Sequence, residues 1–274
     1  MTQLRRSDQA QAFVRGFQSM LNNWLDKGFE PEVSALPILI PKGGVCMHIG
    51  ASDGRHTYAM IEKAGASKVY AFEPSGYSYA MLQSTVWLHR FGSKVETFNL
   101  AVGATDGSLT LTTPKKINGN MGRAFAFVGG ESSKRSDINW TGEKQQETVG
   151  VTSIDNFVAK HRVAQIDFIR ADCEGAEMLV LAGAGKTIEK CWPSMLIEIH
   201  TVQLETLFNS STKAVLDKLH RWGYRTFVRP SRQGPWEECL APFQGRPWKD
   251  YACLHAERHK DRIAELLDLA RTAR

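Results

Sequence analysis

Four polar residues sit where the apolar pattern of the chain predicts that buried strands stop: Asp172, Glu174, Glu198 and His200. Histidine has an ordinary pKa near neutrality, so His200 is suited to take a proton from a hydroxyl. Glu198 lies two residues earlier, on the same face of its predicted strand, and could orient the ring. Asp172 follows the predicted strand 165–171 and can reach either a bound cofactor or an acceptor, with capping of the next helix as its structural alternative. Glu174 and Glu177 fall in the predicted first turn of that helix, where the dipole favours carboxylates whatever else they do. Removing a proton from an acceptor is worth about 10²–10⁴-fold when the base reaches it.

A second set of residues reads as a binding site. Residues 45–54 are V-C-M-H-I-G-A-S-D-G, an apolar run into a glycine, two small residues, an acid and a second glycine. A buried parallel strand, a tight turn and a helix start have this pattern. Gly50 and Gly54 let the backbone bend and let a ligand approach it. Residues 68–73, K-V-Y-A-F-E, form a second short strand ending in Glu73. Glu73 lies about 20 residues past the glycine turn, where an acid can accept hydrogen bonds from a ribose. Pro74 then suits a helix start.

The glycine spacing selects among nucleotide-like cofactors. Binding of a pyrophosphate favours G-x-G-x-x-G. Here the turn is G-x-x-x-G with Asp53 beside the second glycine, and an acid there repels phosphate. It suits a sulfonium or ammonium group, which points to S-adenosyl-L-methionine. The expected cofactor contacts are His48, Gly50, Ala51, Ser52, Asp53, Glu73, Pro74 and Asp172. By analogy with other proteins of this fold, Asn99, Leu100 and Ala101 at the end of the third strand hold the adenine.

With these motifs in place, the chain resembles the FkbM-type S-adenosylmethionine-dependent methyltransferases over residues 45–200. The resemblance is carried by H-I-G-A-S-D-G (48–54), A-F-E-P (71–74), V-T-S-I-D (151–155), I-D-F-I-R-A-D-C-E-G-A-E (166–177), L-A-G-A (181–184) and W-P-S-M-L-I-E-I (192–199). It implies an α/β, Rossmann-like class I methyltransferase fold. That fold has a mostly parallel seven-stranded sheet, helices on both faces and an antiparallel last strand. It also implies O-methylation of a hydroxyl on a sugar, glycan or secondary metabolite. The family motif adds Glu174 to the candidate catalytic residues, with His200 and Asp172. Two positions depart from the family pattern: His48 replaces an acid, and Arg170 replaces a lysine, which keeps the charge but changes its geometry. The competing readings are an N-methyltransferase on a small molecule or nucleic acid, and a binding module of this fold without turnover. Against nucleic acid, the fourth strand ends in Ala-Asp-Cys-Glu rather than an N/D-P-P-Y-type motif, and no dense basic tract with interleaved aromatics occurs.

The elements that must place these residues follow from periodicity. Residues 1–41 are expected to form a helical extension and lead-in, with Phe13, Phe17, Leu21, Trp24 and Leu25 as one apolar stripe. That stripe would dock on the main domain, cover the pocket or form a homodimer interface. Residues 35–40 read as an extended lead-in or edge strand. Residues 42–274 are the methyltransferase domain. Asp106-Gly107 predicts a hairpin turn, and residues 114–147, poor in apolar anchors, read as an inserted substrate lid. Ser153 or Thr152 should cap the helix through Lys160. Residues 204–222 read as one helix.

A net charge of +5 permits an anionic acceptor without requiring one. Five cysteines without a paired C-x-x-C read as free thiols in a reducing compartment, and no metal-ligand spacing is evident. With no long apolar run, a cytoplasmic protein is expected.

Overall fold

Short, almost continuously apolar runs build the centre of the molecule, as expected of parallel strands covered on both faces. The computed structural model describes residues 6–116, 127–128, 140–232 and 234–269. Its helices are α1 (Arg6–Trp24), α2 (Leu36–Leu39), α3 (Arg55–Glu62), α4 (Gly76–Leu88), α5 (Ile154–Lys160), α6 (Glu177–Ala182), α7 (Gly185–Cys191), α8 (Thr201–Phe208), α9 (Thr212–Arg221) and α10 (Lys260–Asp268). Its strands are β1 (Val45–Ile49), β2 (Lys68–Phe72), β3 (Val95–Phe98), β4 (Leu100–Val102), β5 (Gly107–Lys116), β6 (Phe127–Val128), β7 (Trp140–Thr152), β8 (Phe168–Asp172), β9 (Ser194–His200), β10 (Tyr224–Val228), β11 (Glu237–Glu238) and β12 (Trp248–His255).

The main sheet has the order β11-β10-β12-β9-β8-β1-β2-β3. Strands β3, β2, β1, β8 and β9 run parallel, and β12 enters antiparallel between β9 and β10. The seven expected strands are present, and the two-residue β11 adds an eighth at the edge beside β10. Two apolar clusters cover the two faces. Met47, Ile49, Ile169 and Ile197 belong to one, Cys46, Val69, Phe168 and Leu196 to the other. Residues alternate between them because side chains along a strand point to opposite faces. Register lines up three acids across three strands: Asp172 pairs with Glu198, and Glu198 with Asp250.

Several expectations are corrected. Residues 31–39 are helical rather than extended, a 3₁₀ turn (Pro31–Ala35) followed by α2. Val33, Leu36 and Leu39 are buried there, and a proline at the start of each turn pre-sets its φ. The Asp106-Gly107 turn does not join neighbouring strands. A second sheet has the order β4-β7-β5-β6, so β7 lies between the strands on either side of that turn. Asp106 accepts hydrogen bonds from Ser153 N (2.9 Å) and Thr152 Oγ1 (3.2 Å), which ties the turn to the end of β7. Both ends of the expected lid belong to the long β5–β7 ladder, which pairs Gly107 with Val151 and Lys116 with Trp140. The rest of that segment, residues 117–126 and 129–139, lies outside the described residues. The helix expected over 204–222 is two helices, broken at Asn209 (φ 46°) and restarted where Ser211 Oγ accepts from Ala214 N. Ser153 does cap α5, accepting from Asn156 N at 3.2 Å.

The first helix is turned the other way from its apolar stripe. It docks on α4 through Ala12, Gly16, Ser19 and Asn23, all buried. Phe13, Phe17 and Trp24 are exposed. Small residues win this face because they let two helices approach closely. A Cβ on Gly16 would lie 2.6 Å from the Ser84 Cβ. Among the described residues, no helix is long and apolar enough to cross a membrane. Gly16→Ala should therefore destabilise the chain by about 1–3 kcal/mol through overpacking. Ser84→Gly in the same chain should recover most of that loss in a thermal melt. An unchanged melting temperature in the single variant would show that the helices do not meet there.

Candidate active site

The carboxyl ends of the parallel strands supply the site, starting from a steric constraint at the first. Gly50 follows β1 with φ 75°, and a Cβ there would sit 1.8 Å from the Asp172 carbonyl oxygen. Only glycine permits that approach. It brings the turns after β1 and β8 into contact. The amides of Gly50 and Ala51 both donate to Phe72 O, at 2.9 Å each. Glu73 then accepts from Ser52 N (2.8 Å) and Ser75 N (3.0 Å). The Asn99 side-chain amide donates to the carbonyls of Glu73 (2.9 Å) and Pro74 (2.8 Å). Three consecutive turns are thereby laced together. Burial pushes the Glu73 carboxyl up to about 7, against the opposing pull of its two backbone donors.

These turns face a cavity of about 550 Å³, within the usual range for small-molecule sites. Gly50, Ser52, Glu73, Pro74, Leu100, Ala101 and Asp172 line it, all expected from sequence, and Glu174 joins them. Four expected contacts lie off its wall. His48 points toward α3, where its Nδ1 is 2.7 Å from Thr57 Oγ1, and burial holds it neutral with its pKa down at about 3. Ala51 is packed into the apolar cluster. Asp53 stands 3.5 Å from Arg55 Nη2 and accepts from Arg55 N, so it serves the start of α3. Asn99 spends its amide on the two carbonyls named above. Sequence reasoning missed the opposite wall: Gly103, the turn through Gly107, Leu109, Leu111 and Val151, with Leu179 and Phe208. The Asp106-Gly107 dipeptide just past the expected adenine strand was the one signal for it.

The three candidate catalytic residues meet at the wall of the cavity, which Asp172 and Glu174 line and His200 does not. His200 ends β9, Asp172 ends β8, and Glu174 lies between Asp172 and α6 with φ 51°. His200 Nδ1 is 3.3 Å from Glu174 Oε2, and Nε2 is 3.5 Å from both Asp172 Oδ1 and Glu198 Oε1. Helix α6 opens only at Glu177, so Glu174 belongs to the turn before it and not to its first turn. Glu177 instead folds back to accept from Gly175 N at 2.9 Å. Behind the cluster Arg170 is buried, with Asp250 Oδ1 at 2.8 Å, Glu198 Oε2 at 3.1 Å and Asp172 Oδ2 at 3.7 Å. A guanidinium so enclosed is not available to an anionic acceptor.

Charge around the cluster is uneven. Burial alone would lower the His200 pKa, but Asp172, Glu174 and Glu198 raise it to about 9. The three surrounding acids thus favour the protonated form of the His200 ring, against the pull of burial. Asp172 is held well below the ordinary carboxylate range, since contact with His200 and Arg170 outweighs burial. Glu198 and Asp250 are pushed up, mainly by burial.

Residues 48–226, more than half of the chain, match the profile of the methyltransferase FkbM domain. The chain is 30% identical over 149 residues to Methyltransferase 1 of Beauveria bassiana (strain ARSEF 2860), covering 52% of this chain and 59% of that protein. A crystal structure of a methyltransferase FkbM from Methylobacillus flagellatus KT is similar over 77% of this chain and 43% of its own, with 16% identity and a TM-score of 0.46. A structure of M. capricolum TrmK in complex with S-adenosyl-homocysteine is similar over 82% of this chain and 68% of its own, with 10% identity and a TM-score of 0.43. The chain thus spans about three fifths of the curated relative and under half of the first of these structures.

The Glu73 environment yields a pH test. Its carboxyl is raised from 4.5 to about 7 in the folded chain. Between those values the folded chain holds a proton that the unfolded chain has released, so this group makes stability fall as pH rises from about 5 to 7. Glu73→Gln cannot ionise and lacks that slope. Melts at pH 5 and pH 8 should show the variant gaining on the wild type at the higher pH, by on the order of 3 kcal/mol. Parallel pH profiles would mean that Glu73 is not desolvated.

Proposed function

Because the chain belongs to the FkbM methyltransferase family, we propose that it moves a methyl group from S-adenosyl-L-methionine to a hydroxyl oxygen on a sugar, glycan or secondary metabolite. The observation that carries this reading is the convergence of Gly50, Glu73 and Asp172 on one cavity with the acid–histidine cluster at its wall. When bound, the cofactor supplies an electrophilic methyl carbon on a sulfonium.

The residues present fit such a ligand. Glu73 has its carboxylate fixed by two backbone donors and keeps lone pairs for ribose hydroxyls. Leu100 and Ala101 offer a small apolar surface to a flat ring. The close approach that Gly50 alone permits sets the Asp172 backbone against the first turn, and the ionised Asp172 side chain places negative charge next to it. A dinucleotide would bring phosphates to that charge.

Methyl transfer from a good leaving group needs alignment and exclusion of water above all. Asp172 and Glu174 line the cavity and accept hydrogen bonds, so they orient the acceptor hydroxyl, and its proton passes to the Asp172–Glu174–His200 cluster as the methyl–sulfur bond breaks and the methyl–oxygen bond forms. His200 stands between these two carboxylates, 3.5 and 3.3 Å from their oxygens, and tunes their charge. All five cysteines are free, three of them buried, which supports the cytoplasmic reading.

Glu73→Ala should weaken S-adenosylmethionine binding by about 10–100-fold in calorimetry, the size expected for losing hydrogen bonds to a charged group. His200→Ala should lower kcat while leaving cofactor affinity within a few-fold. The acceptor itself is reached by incubating the protein with methyl-labelled cofactor and cell extract and locating the label. Label on nitrogen, or none with cofactor bound, would overturn O-methylation.

A further inference from the structure

We propose that Asp172, Glu174 and His200 hold a divalent first-row transition-metal cation at the wall of the cavity, with its open coordination positions toward the acceptor. One ligand atom from each residue lies within 4.8 Å of the other two. Metal bonds of about 2.0–2.2 Å bring neighbouring ligand atoms to roughly 3–4 Å, so a small inward movement completes the set.

A group of acids alone would not make a site, but the histidine adds a separate observation. The His200 side chain is 7% exposed, and neither Nδ1 nor Nε2 has a hydrogen-bond partner. Buried ring nitrogens are normally satisfied, because leaving them bare costs about 1–3 kcal/mol. Both lie 3.3–3.5 Å from carboxylate oxygens without making a hydrogen bond to them. A cation liganded by the two acids and one of those nitrogens would give the buried ring a partner. Glu198 is held by Arg170 and stays outside the set.

The donor set selects the ion. Two carboxylates and an imidazole suit Mn²⁺, Fe²⁺, Co²⁺ or Zn²⁺, whereas Ca²⁺ and Mg²⁺ prefer oxygen alone. Three protein ligands leave positions open, the pattern of catalytic rather than structural metal sites. Asp172 and Glu174 line the cavity, so those positions face the place where an acceptor hydroxyl would lie. The cation would orient and polarise that oxygen, a role that rests on the methyltransferase reading. The metal site itself does not.

The full chain, treated with chelator, is titrated with Mn²⁺ and followed by the loss of the free-ion electron paramagnetic resonance signal. Co²⁺ is titrated in parallel by visible absorption. The expected result is one equivalent bound, with nitrogen hyperfine coupling to the Mn²⁺. Glu174→Gln and His200→Ala should each weaken binding by about 100-fold, and His200→Ala should abolish the nitrogen coupling. If His200→Ala does not fold, the coupling in the wild-type chain and the Glu174→Gln titration decide. No binding at millimolar Mn²⁺ and Co²⁺, or binding indifferent to Glu174→Gln and without nitrogen coupling, overturns the site. Cofactor binding by calorimetry in the same samples separates the two readings. A chain that binds S-adenosylmethionine but no metal loses only this inference, and one that binds metal but no cofactor loses the methyltransferase reading.

Discussion

A buried guanidinium underlies the arrangement of the site. Arg170 is 2% exposed in the middle of β8, and its charge is met by acids from three strands: Asp172 of β8, Glu198 of β9 and Asp250 of β12. Taking a charge out of water costs several kcal/mol, and only close partners offset it. Those partners must come to Arg170, and their strands come with them. The antiparallel entry of β12 next to β9 is what brings Asp250 within 2.8 Å. Glu198 turns one oxygen to Arg170 and the other to His200, whose ring also faces Asp172 and Glu174. The lysine that the family pattern suggests at this position would present one ammonium. The fork of Arg170 can engage two acids on opposite sides at once.

A second constraint acts at the other end of the same turn. Gly50 has no side chain, so the backbone after β1 passes against the carbonyl of Asp172. That contact sets how far apart the turns after β1 and β8 stand. Glu73 then joins the β1 turn to the β2 turn, and Asn99 extends the connection to β3. Each link uses a side chain to satisfy backbone groups that strand ends leave open. The result is a rigid rim along the carboxyl edge of the sheet, the edge where open α/β sheets bind their ligands.

Strand ends were the most legible part of the sequence. Apolar runs stop sharply there, so Gly50, Glu73, Asp172 and His200 could be placed at one edge before any coordinates. What a short pattern does not carry is the direction in which a side chain points once neighbours compete for it. His48 lies in the right strand, yet Thr57 takes its ring nitrogen. Asp53 lies in the right turn, yet it pairs with the backbone and side chain of Arg55 at the start of α3. The stripe of Phe13, Phe17 and Trp24 has helical spacing, but close packing against α4 rewarded Gly16 and Ala12 on another face. The second sheet was hidden for a related reason. Nothing local says that β4 and β5 pair with opposite edges of β7, because that choice is made by a strand some 40 residues further on. The Asp172, Glu174 and His200 cluster has no ligand spacing in the chain, since two loops from different strands close it only in space.

Which groups reach the cavity decides the character of the site. Asp172, Glu174, Glu198 and Asp250 gather around two cationic side chains, Arg170 and His200, and burial pushes Glu198 and Asp250 up while Asp172 is held low. Arg170 lies behind the cluster and is already matched, so the negative charge that reaches the cavity wall is that of Asp172 and Glu174. A partly enclosed site screens such charge poorly. Phosphate-bearing ligands are repelled from this part of the wall, and cationic ones are drawn to it. A sulfonium, the ammonium of an amino-acid tail and a divalent metal all meet that requirement. They do not compete for one place, because Asp172 presents its backbone beside Gly50 and its carboxylate beside His200. One residue thus joins the glycine turn after β1 to the acid–histidine cluster after β9, and its backbone and side chain serve different neighbours.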